Sequence, residues 1–96
     1  QEVYNNLGTN FTPLSADLKQ RLNISSGVVV SDVRRGGFFD QIGIPRGTII
    51  VIINGKPVYT PAHIDQAFIA AQSGIIQILG IAPDGSRVAF NFSLGT

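Results

Sequence analysis

Apolar and polar positions along the chain change rhythm several times, and each change marks an element. Gln1 to Asn6 is polar apart from Val3 and Tyr4 and reads as a lead-in. Leu7 to Thr12 has the character of a short strand opening on Gly8. Leu14, Leu18 and Leu22 then recur at helical spacing, which predicts an amphipathic helix over Ser15 to Leu22. Ser15 suits its N-cap, because a hydroxyl there accepts from an unpaired amide of the first turn. Val28 to Val33 is β-branched and predicts a strand, interrupted by Gly36-Gly37. Phe38 to Ile42 is long enough for one helical turn, closed by Gly43 where a left-handed cap is needed. Thr48 to Ile53 is a nearly unbroken apolar run, as in a strand buried on both faces. Asn54-Gly55 is the strongest turn signal, since both residues tolerate positive φ, and Lys56-Pro57-Val58 reads as a brief return strand.

In the second half, Thr60 is placed as an N-cap with Pro61 at the first helical position, where the missing N–H is harmless. Ile64, Ala67, Phe68 and Ala71 follow as one apolar helix face, and Gly74 stops the helix. Ile75 to Ala82 predicts a strand, and Pro83-Asp84-Gly85 a hairpin turn. In the last strand Val88, Phe90, Phe92 and Leu94 alternate with Ala89, Asn91 and Ser93, giving one buried and one wet face. The order lacks the βαβ rhythm of a parallel sheet. It predicts an α+β fold: a small, mostly antiparallel sheet or partly open barrel capped by helices.

Composition narrows the function more than the fold. The 96 residues fit one small domain. With 44% hydrophobic and 14% charged residues, the chain reads as a packed globule and not a disordered segment. Net charge is +1, and the basic residues are scattered, without the stripe that nucleic-acid binding needs. There are no cysteines, which excludes disulfides and thiolate ligands. No apolar run approaches the roughly 20 residues of a membrane helix. The sequence shows no signal peptide, and its start at Gln1 suggests excision from a larger protein.

Candidate chemistry is sparse. His63 is the single histidine, with no nucleophile elbow to partner it, and reads as exposed and idle. The acids Glu2, Asp17, Asp32, Asp40, Asp65 and Asp84 form no recognisable pair, and no cofactor or metal is expected. Gly36-Gly37 lacks the context of a nucleotide-binding loop and reads as a flexible junction. Recognition remains. A small sheet beside a helix with an apolar face offers a groove in which an extended peptide adds itself to the sheet edge. A turn of unpaired N–H groups at one end of the groove captures a terminal carboxylate, and Leu7-Gly8-Thr9 is the candidate turn.

Gly27 to Val33, then Gly36 to Gly43, then Gly47-Thr48-Ile49-Ile50-Val51-Ile52-Ile53-Asn54-Gly55-Lys56-Pro57-Val58 resembles the core of a PDZ domain. Leu7-Gly8 followed by the Leu14-Ser15-Ala16-Asp17-Leu18 helix is similar to the PDZ domains of HtrA/Deg-type serine proteases, over about residues 7 to 94. The chain departs from that pattern at Thr48, where the family has aspartate, and in the loop Asn6-Leu7-Gly8. The resemblance implies a non-catalytic, peptide-binding module of a serine protease engaged in protein quality control in a bacterial envelope or periplasm. It implies loop amides from Leu7, Gly8 and Thr9, backbone pairing by Asn10 and Phe11, and groove contacts by Ile64, Asp65 and Phe68 from the Pro61 to Gln72 helix. The implied partners are extended or C-terminal peptides, with no nucleic acid and no small-molecule cofactor, and the parent protein is open to homo-oligomerisation. The alternatives are a PDZ module of another protease or secretion assembly, and a structural oligomerisation domain.

Overall fold

Ser15 turns the chain out of its first strand. Its Oγ accepts the Leu18 N–H at 3.2 Å, and helix α1 (Ala16–Leu22) starts from that cap. In the computed structural model residues 9–71 and 74–93 are described; β1 (Thr9–Pro13) precedes α1, and β2 (Val28–Val33) follows it. Helix α2 (Phe38–Ile42) ends on Gly43 at φ 86, the left-handed cap expected of it. Next come β3 (Ile49–Ile53), β4 (Lys56–Pro57) and helix α3 (Pro61–Ala71), then β5 (Ile75–Ile81) and β6 (Arg87–Ser93).

The strands form one sheet in the order β1-β2-β3-β5-β6, with β4 beside the second half of β3. Every pairing is antiparallel. The sheet stays open, with β1 and β6 at its edges. This is the small antiparallel α+β architecture that the sequence predicts.

Both faces of β3 are covered, which explains its apolar run. Ile50 and Ile53 join the main core with Val28, Val30, Phe39, Ile64, Ile76 and Ile78, under α2 and α3. Ile49 packs on the other side with Leu14 and Ile81, bordered by Leu22, Ile24, Val29 and Val51. Each fully buried aliphatic side chain contributes about 1.5–3 kcal/mol relative to exposure. Leu18, expected on the buried stripe of α1, is 40% exposed, and no residue of α1 is fully buried.

The turns are tied more firmly than their composition suggests. Asn54 and Gly55 take φ 51 and 80 in the β3–β4 turn. Gly36-Gly37 is not a loose junction. Gly37 N–H donates to Arg34 O at 2.9 Å, Gly36 N–H to the Asp40 carboxylate at 2.8 Å, and Gln41 Nε2 to Gly36 O at 2.9 Å. Thr48 lies just before β3 and is 1% exposed; its hydroxyl donates to Pro45 O at 2.8 Å. A buried donor is useful there, because a carbonyl cannot be satisfied by an ionised carboxylate.

Candidate peptide groove

Among the described residues β1 is an edge strand, so half of its backbone groups have no described strand beside them. Which half follows from β2. Val30 N–H donates to Thr48 O and Val30 C=O accepts from Gly47 N–H, both at 2.8 Å, so Val30 faces away from β1. Phe11 is paired opposite Val30, and its N–H and C=O therefore point outward, to the open edge. Asn10 is turned the other way: its carbonyl accepts the Ser31 hydroxyl at 3.1 Å. Ser31 is the extra residue where the register shifts between Asn10 and Phe11.

The side chains build an aromatic row behind this edge. Phe11 is buried and meets Phe39 edge-on at 5.6 Å. Phe39 lies 6.3 Å from Phe68, and Phe68 lies 6.3 Å from Phe92. The row links β1, α2, α3 and β6. Helix α3 lies beside β1, with Cα separations that fall to 8 Å or less.

Of the residues that the sequence marks for this site, Ile64 is fully buried in the main core. Phe68 is half-buried on the same helix face, and Asp65 is half-buried next to Ile64. Thr9 opens β1, opposite Val33. Leu7 and Gly8, the heart of the expected carboxylate turn, lie outside the described residues. The structure thus brings Phe11, Ile64 and Phe68 together in one hydrophobic cluster. Strand alternation gives the outer edge to Phe11 and turns the Asn10 backbone inward.

His63 has a function that its isolation in the sequence hid. It is the third residue of α3, and its Nδ1 accepts the backbone N–H of Tyr59 at 3.0 Å and of Thr60 at 3.3 Å. This is the reciprocal half of a capping box, with imidazole in place of the usual glutamate or glutamine. Position three of a helix that opens on Thr60-Pro61 was the available signal. Two hollows lie away from the β1 edge. One of about 370 Å³ runs between α3 and the β3–β4 turn, past Lys56, His63 and Ala70. The other, of about 360 Å³, lies on the outer sheet face among Ile24, Val51, Leu79 and Ala89. Among the described residues no three His, Cys, Asp or Glu side chains group as metal ligands.

An open antiparallel sheet whose first strand leaves its edge beside a helix is the architecture of a PDZ domain, and this chain has that fold. It superposes on the PDZ domain of EpsC from Vibrio cholerae with a TM-score of 0.61, at 19% identity, over 97% of this chain and 99% of that one. Within that class the resemblance runs to the HtrA/Deg-type proteases. The HtrA3 PDZ domain, solved with the phage-derived ligand FGRWV, matches with a TM-score of 0.70 at 20% identity, over 88% of this chain and 79% of that one. The HtrA-type protease AlgW, solved with a decapeptide, matches with a TM-score of 0.67 at 23% identity, over 93% of this chain and 28% of that one. In sequence, the periplasmic pH-dependent serine endoprotease DegQ of Escherichia coli (strain K12) is 29% identical over 92 residues, 94% of this chain and 20% of DegQ. A probable periplasmic DegP-like endoprotease of Rhizobium meliloti (strain 1021) is 25% identical over 92 residues, 94% of this chain and 18% of that protein. The chain thus spans about a fifth of the length of these curated relatives. No protein-family model matches the chain.

Proposed function

We propose that the chain is a peptide-binding module that takes an extended peptide as an added strand along β1. The observation that carries this reading is the outward-facing backbone of Phe11, on an edge flanked by α3 and backed by Phe39 and Phe68. An added strand pairs antiparallel with β1, so its C-terminus comes to lie near Thr9 and the residues before it. Backbone pairing supplies affinity without sequence demand, and the half-buried Phe68 wall favours an apolar last side chain. The Leu7-Gly8-Thr9 amides are the proposed holders of the terminal carboxylate. Asp65 is the proposed polar contact from the helix.

The peptide complexes of AlgW and the HtrA3 PDZ domain support this reading, as do the two periplasmic relatives. On it, the 96 residues act as one non-catalytic module that recognises substrates or regulatory peptides for an HtrA-type serine protease of the bacterial envelope. The test is a titration with the pentapeptide FGRWV as free acid and as C-terminal amide, followed by backbone amide shifts. Few residues are held, so Kd should fall at about 1–100 μM, or about −5.5 to −8 kcal/mol. Amidation should lose about 1.5–3 kcal/mol, the scale of hydrogen bonds to a charged group. Equal affinities would remove the carboxylate role and leave a binder of internal peptides. Self-association with no shifts along β1 and α3 would point instead to an oligomerisation domain.

A further inference from the structure

From Phe11 to Pro13, the edge that an added strand would use offers it no unoccupied donor. Phe11 and Pro13, two apart in β1 with no register shift between them, are its outward-facing positions past the bulge. Pro13 has no N–H to offer. The Phe11 N–H is taken by its own neighbour, for Asn10 Oδ1 accepts it at 3.1 Å. That arrangement is braced. The Asn10 carbonyl is held by Ser31 Oγ at 3.1 Å, which fixes the backbone of Asn10 while its exposed carboxamide folds back over the edge. From Phe11 to Pro13 the outer edge therefore presents acceptors but no unoccupied donor. Unguarded edges template the pairing of any extended chain, and withholding donors is a means of preventing it. Asparagine suits the task, since its short amide bonds readily to nearby backbone.

We propose that Asn10 is a guard on the peptide edge, a built-in competitor that an incoming peptide must displace. The proposal deepens the strand-addition reading and rests on it. In the unoccupied domain the Phe11 N–H bonds to Asn10 Oδ1. In the complex it bonds to a peptide carbonyl, and the Asn10 carboxamide is released to water. The number of hydrogen bonds is unchanged, so this contact adds little net affinity. Only peptides that also seat an apolar side chain against Phe68 overcome the competition. The guard thus selects against casual extended chains and for peptides with a well-seated end.

The experiment compares wild type, Asn10→Ala and Asn10→Asp in two measurements. The first is hydrogen exchange at the Phe11 amide without peptide. It should accelerate in Asn10→Ala, which has no acceptor, and slow in Asn10→Asp, whose charged acceptor bonds more strongly. The second is titration with FGRWV free acid. Asn10→Ala should bind roughly two- to tenfold more tightly than wild type, the factor that one ordinary hydrogen bond represents. Asn10→Asp should bind more weakly than wild type. Opposite movements by two substitutions at one exposed position are not produced by general loss of structure. If Asn10→Ala melts too early to titrate, Asn10→Thr, a better strand former without the reach, replaces it. Unchanged exchange at Phe11 in Asn10→Ala would overturn the guard. So would faster exchange with unchanged affinity, while peptide-induced shifts along β1 would keep the groove. Absence of any shift in all three proteins would overturn the strand-addition reading and the guard together.

Discussion

His63 and Tyr59 hold each other across the start of helix α3: the imidazole Nδ1 accepts the Tyr59 backbone N–H at 3.0 Å, and the two rings meet edge-on at 5.8 Å. Nδ1 must be bare to accept, so in the neutral ring the proton sits on Nε2. One side chain thus fixes both the β4–α3 loop and the first turn of α3. His63→Ala should lower stability by about 0.5–1.5 kcal/mol in urea denaturation, the worth of one cap. His63→Gln, which keeps an acceptor of the capping-box type, should recover most of that loss. Equal destabilisation by both would show that the ring packing, and not the acceptor, matters.

Phe68 stands between Phe39 and Phe92 and is half-buried, so it packs on the core and keeps part of its ring accessible to the proposed ligand. Phe68→Ala should cost about 2–3 kcal/mol, less than the loss of a fully buried ring. It should also weaken FGRWV binding by roughly tenfold, if the lost wall is worth about 1.4 kcal/mol. Calorimetric melting together with titration separates the two effects. A lower melting temperature with unchanged affinity would place the peptide's last side chain elsewhere.

Gly80 is required by its neighbour. A Cβ there would sit against the Ile49 carbonyl oxygen, where β5 crosses the irregular stretch of β3 between Ile50 and Ile52. Backbone cannot yield as a side-chain tip can, so Gly80→Ala should cost on the order of 3 kcal/mol or prevent folding. Gly55, at φ 80 with open space around its Cβ position, bears only the conformational penalty, so Gly55→Ala should cost about 1–2 kcal/mol. Denaturant midpoints of the two variants check the order, and the reverse order would contradict the β3–β5 crossing described above.

The fold shifts the acidity of Asp84. In the β5–β6 turn its Oδ1 accepts the Ser86 hydroxyl at 2.7 Å and the Ser86 N–H at 2.9 Å, and these bonds hold its pKa below the ordinary 3.8. Because the folded value is the lower one, the contribution is fully present above 3.8 and is lost as pH falls through the folded value. The side chain is exposed, so the effect is small. Melting temperature against pH for wild type and Asp84→Asn should converge at the acid end and separate above 3.8. Parallel curves throughout would remove Asp84 as the source.

Most element positions were legible because each depended on local rules. Val28 to Val33, Phe38 to Ile42 with its glycine cap, and the alternation of Val88, Phe90 and Phe92 needed only periodicity and turn chemistry. The PDZ-like pattern, which carries tertiary pairing with it, proposes Phe11, Ile64 and Phe68 for the groove, and the fold places the three in one hydrophobic cluster. What escaped was contact between a side chain and a distant or neighbouring backbone. His63 looked idle because its partners are N–H groups, which a search for catalytic side chains does not count. Asn10 was read as pairing a peptide through its backbone. Its side-chain bond to Phe11 depends on the bulge at Ser31, and no residue pattern announces a one-residue register shift. Leu18 is 40% exposed although its helical period matches Leu14 and Leu22, since periodicity alone does not say how closely a helix packs on its sheet.

The turn at Asn54-Gly55 has a consequence for the lifetime of the molecule. An asparagine followed by glycine is the sequence most prone to deamidation, in which the glycine nitrogen attacks the side-chain carbonyl carbon, ammonia departs and a succinimide opens to aspartate or isoaspartate. Here both ends of the Asn54 carboxamide are held by β5: Nδ2 donates to Ile75 O at 3.2 Å, and Oδ1 accepts Gln77 N–H at 2.8 Å. The side chain cannot swing onto the Gly55 nitrogen while those bonds last. The folded domain therefore shields its most perishable peptide link, and chemical ageing at this turn proceeds only at the pace at which β5 lets go.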